Sequence, residues 1–344
     1  MKSLICNQPF EIQYIDSPKP IIKKDEVLLK IKAVGICGTD IHAYTGNQPF
    51  FSYPRILGHE ICGLVEEVGT DCPAELKQQF VVVIPAIACG ECAPCKEGKT
   101  NCCDTISLYG VHQDGGFQDY LAVKASNVIP VPSSIDPAAA SLVECFAIGA
   151  HANRRGESKE GENILVVGAG PIGLGTAAVA LANKANVVLA DVSAERRAHA
   201  EKVLGIQTLN PLDENYLENL MQAFNGNLAC SVMDATGNKA SMTNSVNLIR
   251  HGGKIVFIGL YIGDLQLDDP TFHKKETTLI ASRNATFDDF VRVIDLFESK
   301  AISEKIMVNQ EFDFATIGLD YENTVVKNKE LVKGVSRFKY RRFT

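Results

Sequence analysis

Two regimes of hydrophobic patterning divide the chain. Up to about residue 135, short apolar runs are broken by Gly and Pro: Val27 to Val34, Gly63 to Val68, Val81 to Pro85, Leu121 to Val123 and Val128 to Val131. Runs of that length between turn residues predict the strands of a β-rich domain. From Pro137 the period lengthens, and AAASLVECFAIGAHANRR reads as one helix, with Asp136 as its N-cap and Pro137 as its first residue.

Beyond this helix, strand and helix patterns alternate. Strands are predicted at Asn163 to Val167, Val187 to Asp191, Ser231 to Ala235, Lys254 to Gly259 and Thr277 to Ser282. Helices are predicted at Ile172 to Asn183, Ala194 to Leu204, Ala240 to Arg250 and Phe287 to Ser299. Such alternation implies a parallel sheet with helices on both faces. The fold class is therefore α/β, with a β-rich part followed by a doubly wound one. A mixed segment closes the chain, and no internal repeat or low-complexity stretch interrupts it.

Composition narrows the function. With 344 residues, 46% of them hydrophobic and 22% charged, the chain is long enough for two domains with separate cores. A formal net charge of -7 disfavours a nucleic-acid surface, which needs clustered Lys and Arg. The one basic cluster, Arg337, Lys339, Arg341 and Arg342, reads as a solvated terminus. The MKSLICNQPFEIQYID start has too short an apolar run for a signal peptide, and no stretch reaches membrane-spanning length, so a cytoplasmic protein is expected. Eleven cysteines then read as metal ligands and reduced thiols.

Three constellations carry chemistry. In the first, VGICGTDIH precedes LGHE, so that Cys37, His59 and Glu60 offer a thiolate, an imidazole and a carboxylate. Such a set leaves a zinc ion one open position and makes it a Lewis acid. Taken singly, Cys37 and His59 also suit a buried core. In the second, Cys89, Cys92, Cys95 and Cys103 stand as C-x2-C-x2-C-x7-C among Gly90, Pro94 and Gly98. Four thiolates fill a tetrahedral zinc completely, which makes a structural site. A nucleic-acid-binding zinc ribbon is the rival reading, and the acidic charge opposes it. In the third, the apolar run Asn163 to Val167 enters Gly168-Ala169-Gly170-Pro171-Ile172-Gly173 ahead of an Ala-rich helix. This glycine pattern cradles a pyrophosphate, and Asp191 closes the next strand where adenosine ribose hydroxyls are expected. A carboxylate there favours NAD over NADP, while Arg196 and Arg197 just beyond could also face the coenzyme.

CGTDIH and GHE-x2-G-x5-G (Gly58, His59, Glu60, Gly63, Gly69) resemble the zinc-dependent medium-chain dehydrogenases, in their sorbitol and threonine dehydrogenase-like branch. The resemblance implies a discontinuous GroES-like zinc domain over 1–147 and 284–344, enclosing an NAD-binding Rossmann domain over 148–283. It implies two zinc ions per subunit, one catalytic and one structural, with Thr39 as proton relay, His42 as outer base, and a homodimer or homotetramer. Glu144 lies in an otherwise apolar helix, where an unpaired carboxylate is costly. In that branch a glutamate here faces the catalytic zinc, so Glu60 or Glu144 completes its coordination. Cys145 follows where the branch usually has proline.

Similarity in GNQPFFSYPR (46–55), GVHQDGGF (110–117), HKKETT (273–278) and SRNAT (282–286) points further, to a sugar-acid substrate. The implied reaction is oxidation of L-galactonate at C5 to tagaturonate. Polyols (galactitol, sorbitol) and L-threonine are the alternatives, and a silent nucleotide-binding protein is the reading from another class. An aldonate needs a cation and several hydrogen-bond partners. Arg283 is the candidate cation, with Tyr44, Asn47, His112 and Gln113 as polar contacts.

Overall fold

The computed structural model describes residues 1–48 and 51–339. Arg341 and Arg342 of the basic cluster, and Pro49 and Phe50 of the first similarity segment, lie outside them. The chain separates into two compact units. The first holds Met1–Glu144, Thr286–Glu298 and the chain from Val308 onward, and the second holds Cys145–Ala285 and Ser299–Met307.

The first unit is built on a sheet whose central strand is Glu26–Ile36. This strand pairs antiparallel with Glu60–Val68 on one side and, on the other, with Tyr120–Lys124 and Gly334–Arg337 at different heights. Flanked along its length, it is buried nearly throughout instead of alternating, as a central strand should be. One register row crosses the sheet: Glu60 lies opposite Gly35, and Gly35 opposite Val335. Residues in such a row point to the same face, and Lys333, two residues before Val335, is in step with it.

The second unit carries a six-stranded, all-parallel sheet. Its spatial order is Gln207–Leu209, Asn186–Ala190, Asn163–Val167, Ala229–Asp234, Ile249–Phe257 and Thr278–Ala281. The order reverses between Asn163–Val167 and Ala229–Asp234, which creates the topological switch point where nucleotides bind in doubly wound sheets. An apolar core of Leu165, Val188, Val232, Ile255 and their neighbours packs against one face. The fold class expected from the sequence, a β-rich domain with a Rossmann-type parallel sheet, is the one observed.

Among the differences from expectation, which include a strand starting at Ile249 where a helix was expected to run to Arg250, two stand out. The single helix from Pro137 is two, Pro137–Ser141 and Val143–Gly156. Asp136 caps the first, accepting the Ala138 N–H at 2.8 Å. At its end the Ser141 hydroxyl bonds back to the Ala138 carbonyl at 2.8 Å, a local contact that competes with the helical ladder. The break places Glu144 in the first turn of the second helix. The other difference is the helix Tyr216–Ala223, whose polar surroundings hid its period. No helix among the described residues is long and apolar enough to cross a membrane.

Candidate active site and metal centres

Cys37 sits where the central strand ends, as N-cap of the short helix Gly38–Tyr44. The Asp40 carboxylate accepts the Cys37 N–H at 2.8 Å with one oxygen and the Gly58 N–H at 3.0 Å with the other. It thereby ties the Cys37 turn to the segment that carries His59 and Glu60. Asp40 is fully buried. Burial raises its carboxyl above the usual range, although His59 and both N–H groups pull it down.

The donor atoms of Cys37, His59 and Glu60 all lie within 4.8 Å of one another. His59 and Glu60 are both buried, and both keep a polar atom without a hydrogen-bond partner, Nδ1 of His59 and Oε2 of Glu60. An orphaned buried donor or acceptor is costly, and two facing a thiol are what a bound cation would satisfy. The sulfur, nitrogen and oxygen set fits zinc. Electrostatics agree. Burial disfavours the His59 imidazolium, yet Cys37, Asp40 and Glu144 push its pKa well above the usual value. Glu144 is partly reached by solvent but deeply enough set that burial, reinforced by Glu60 and Asp40, pushes its carboxyl up to about 7. The tight donor group contains Glu60 and not Glu144.

Lys333, which the sequence reading missed, forms a buried ion pair with Glu60 Oε1. Its signal was a lone lysine in LVKGV ahead of a strand, where a charged residue is rarely buried without a partner. Gly35 makes room for the same carboxylate: a Cβ there would stand 1.9 Å from Glu60 Oε2. On the helix Gly38–Tyr44, the half-buried Thr39 receives the Cys37 thiol at 3.8 Å, and His42 is exposed. Their i, i+3 spacing puts the two on one face, leading from the metal ligands toward solvent.

Sulfurs of Cys89, Cys92, Cys95 and Cys103 form the second group within 4.8 Å. Gly90 and Gly98, at φ 77° and 76°, turn the loop around them. N–H groups of Glu91 and Cys92 point at Cys89 Sγ, both at 3.4 Å, and pull that thiol down to about 6. Burial and the neighbouring Cys92 push Cys95 up to about 12. Opposite shifts in one cluster show thiols that cannot all ionise until a cation joins them. All eleven cysteines are free thiols, and Cys102 is exposed beside the cluster.

The glycine motif lies at the switch point. Gly168 has φ 101°, and a Cβ on Gly173 would meet the Gly168 carbonyl at 1.7 Å. Gly170 caps the helix Pro171–Ala182. Asp191 accepts the Ala169 N–H at 2.7 Å and the Ser193 N–H at 2.8 Å, which braces the strand end against the glycine turn. Arg196 is exposed, whereas Arg197 folds back onto the Asp191 and Val192 carbonyls at 2.7 and 3.1 Å.

The polar substrate candidates fare differently. Tyr44 is a correction: it is buried in the apolar core, its hydroxyl donating to the Phe10 carbonyl at 3.3 Å and its ring 5.2 Å from Tyr321. Asn47 donates to the Thr45 hydroxyl at 3.1 Å, and Gln113 to the Ser107 hydroxyl at 3.0 Å. His112 Nδ1 accepts the Leu108 N–H at 3.1 Å. These three bonds structure their own loops. Arg283 is exposed in the second unit.

Comparison with known proteins matches residues 23–133 to the alcohol dehydrogenase GroES-like domain and residues 171–299 to the zinc-binding dehydrogenase domain. An L-galactonate-5-dehydrogenase of Escherichia coli K12 is 53% identical, covering 98% of this chain and 99% of its own. A sorbitol dehydrogenase of Bacillus subtilis is 33% identical over 76% of this chain and 75% of its own. Among solved structures, an alcohol dehydrogenase from Escherichia coli CFT073 complexed with NADH superposes with a TM-score of 0.91. It is 30% identical, covering 98% of this chain and 99% of that one.

Proposed function

The chain belongs to the zinc-type alcohol dehydrogenases, and from that premise we propose that it oxidises a secondary alcohol of a sugar acid with NAD, turning L-galactonate into D-tagaturonate. It is a zinc- and NAD-linked oxidoreductase acting on CH–OH donors. The single observation that carries the substrate is the 53% identity, across nearly the whole of both chains, with L-galactonate-5-dehydrogenase. The sorbitol dehydrogenase relative favours polyols as the second reading.

When bound, zinc would supply a Lewis acid for the substrate oxygen and NAD a hydride acceptor. Cys37, His59 and Glu60 hold the metal, with Glu144 beside them. Thr39 takes the proton leaving the substrate hydroxyl, and His42 at the surface passes it to solvent. Cys89, Cys92, Cys95 and Cys103 hold the structural zinc. Gly168, Gly170, Pro171, Ile172 and Gly173 receive the pyrophosphate, Asp191 binds the adenosine ribose, and Arg196 lies at its rim. Arg283 is the candidate partner of the substrate carboxylate, and Asn47, His112 and Gln113 are candidate polar contacts. The catalytic domain spans 1–147 and 284–344 and the coenzyme domain 148–283, in a cytoplasmic homodimer or homotetramer without nucleic-acid or membrane partners.

The test follows NADH absorbance with zinc-replete protein against aldonates, matching polyols and L-threonine. Turnover on L-galactonate well above galactitol is expected. The reverse order would move the protein to the polyols, and zinc-independent turnover would overturn the mechanism.

A further inference from the structure

Among the described residues, Lys333 is the one lysine or arginine that is buried, its side chain 2% exposed. Its Nζ meets Glu60 Oε1, while Glu60 Oε2 has no protein partner and belongs to the donor group with Cys37 and His59. The backbone around it is clasped. Asn309 Oδ1 accepts the Val332 and Lys333 N–H groups at 2.9 and 3.2 Å, and the Asn309 N–H donates to the Lys333 carbonyl at 3.2 Å. Lys333 therefore projects from a fixed origin just before the strand Gly334–Arg337, two residues from Val335, which lies in the row that pairs Glu60 with Gly35.

We propose that Lys333 is the positioning residue of the catalytic metal: by holding Glu60 Oε1 it turns Oε2 toward the ion and keeps Glu60, in preference to Glu144, in the ligand set. The inference rests on the zinc reading of the Cys37 site. Two carboxyl groups stand beside one cation site there, and the Glu60 charge disfavours ionisation of Glu144. A fixed positive charge on the far oxygen of one of them distinguishes the two. Arginine could replace it only by fitting its planar fork into the same buried space, but it would preserve the charge.

Cobalt(II) in place of the catalytic zinc makes the ligand set visible through its d–d absorption. In Lys333→Met protein the d–d bands are expected to shift, with cobalt affinity at this site falling 10- to 100-fold while the four-cysteine site keeps its metal. Lys333→Arg is expected to recover most of both. Because the lysine acts through Glu60, Lys333→Met in a Glu60→Gln background should change neither spectrum nor affinity further. Wild-type bands and affinity in Lys333→Met, or an equal effect in the Glu60→Gln background, would overturn the proposal. If Lys333→Met does not fold, Asn309→Ala loosens the same lysine while keeping its charge, and the same shift in smaller measure is expected; an unchanged spectrum overturns the proposal there too. A wild-type protein that takes up cobalt only at the four-cysteine site would instead overturn the underlying zinc reading.

Discussion

Gly35→Ala adds one methyl group at the point where strand geometry and metal geometry meet. The backbone at Gly35 is ordinary extended strand, so alanine brings no conformational strain of its own. The new Cβ, however, would stand 1.9 Å from Glu60 Oε2 and 3.0 Å from Glu60 Cβ and Cδ. To restore van der Waals contact the carboxylate has to retreat by about 1.5 Å, many times the roughly 0.2 Å tolerance of a metal–ligand bond. Glu60 is fully buried and paired with Lys333, so it has two ways to yield. It can swing away from the metal with the ion pair intact, or break the pair, which for a buried charge costs about 3–5 kcal/mol. Either way the catalytic ion loses its oxygen ligand. The expected result is a drop from two zinc ions per chain to one and a loss of about 100-fold or more in kcat/KM, since misplacement by about 1 Å already costs that much. The retained zinc should be the four-cysteine one, which reports intact folding. Zinc content by mass spectrometry and NADH production are the assays. Two bound zinc ions with turnover within about threefold of wild type would refute the steric argument.

Four further outcomes are open to measurement. Glu144 titrates at about 7 in the metal-free fold against the usual 4.5, so its ionisation begins to cost stability as pH rises past 4.5 and the full cost is present above about 7. Metal-free Glu144→Gln should therefore exceed metal-free wild type by up to about 3 kcal/mol at pH 8 and match it at pH 4 in urea titrations; an equal gap at both pH values contradicts the argument. Lys275 donates to the carbonyls of Val246, Asn247 and Ile249 at the end of the helix Lys239–Leu248, so Lys275→Met should cost about 2 kcal/mol in unfolding without changing turnover per folded molecule. If Asp191 binds the ribose as proposed, Asp191→Asn should lower NAD affinity about tenfold while NADP is better tolerated, as fluorescence titration would show. Arg283→Met should lower kcat/KM for L-galactonate about tenfold or more relative to galactitol; equal losses on both would remove Arg283 from carboxylate recognition.

Much of this architecture was legible because burial writes a period into the sequence. The strand Asn163–Val167 and the helix Ala194–Leu204 have the bounds their patterns suggest, since each switches sharply from apolar to turn residues. The cysteine spacings were equally plain, because loop ligands of one ion must be close in sequence. Long-range partners left no such trace. Nothing in LVKGV says that Lys333 meets Glu60 across the sheet, nor does GTDIH say that Asp40 reaches Gly58. Tyr44 misled because a tyrosine beside an active-site motif has a polar end, yet its ring faces Tyr321 and the core. The similarity segments pointed to the right relatives, and they also carry structural residues. Asp114 of the second segment accepts the Ile56 N–H at 3.1 Å and pairs with Arg55 of the first at 3.4 Å, so their likeness to sugar-acid enzymes includes residues that hold loops to each other.

The shifts around Cys37 combine burial with a local excess of acidic groups. A thiol, Glu60, Glu144 and Asp40 surround His59 in a buried space where Lys333 is the fixed cation. Without a metal, burial first and then Glu60 and Asp40 raise the Glu144 carboxyl, whereas Cys37, Asp40 and Glu144 raise His59 against the opposing effect of burial. A divalent ion bound by Cys37, His59 and Glu60 supplies the missing charge, and metal uptake must therefore release protons. Lys333 touches the Glu60 carboxylate directly, whereas only its field reaches Glu144. On the proposed reading, Glu60, held by Lys333 and given room by Gly35, is the carboxylate placed to hold the metal, and Glu144 is the neighbour outside the tight donor group.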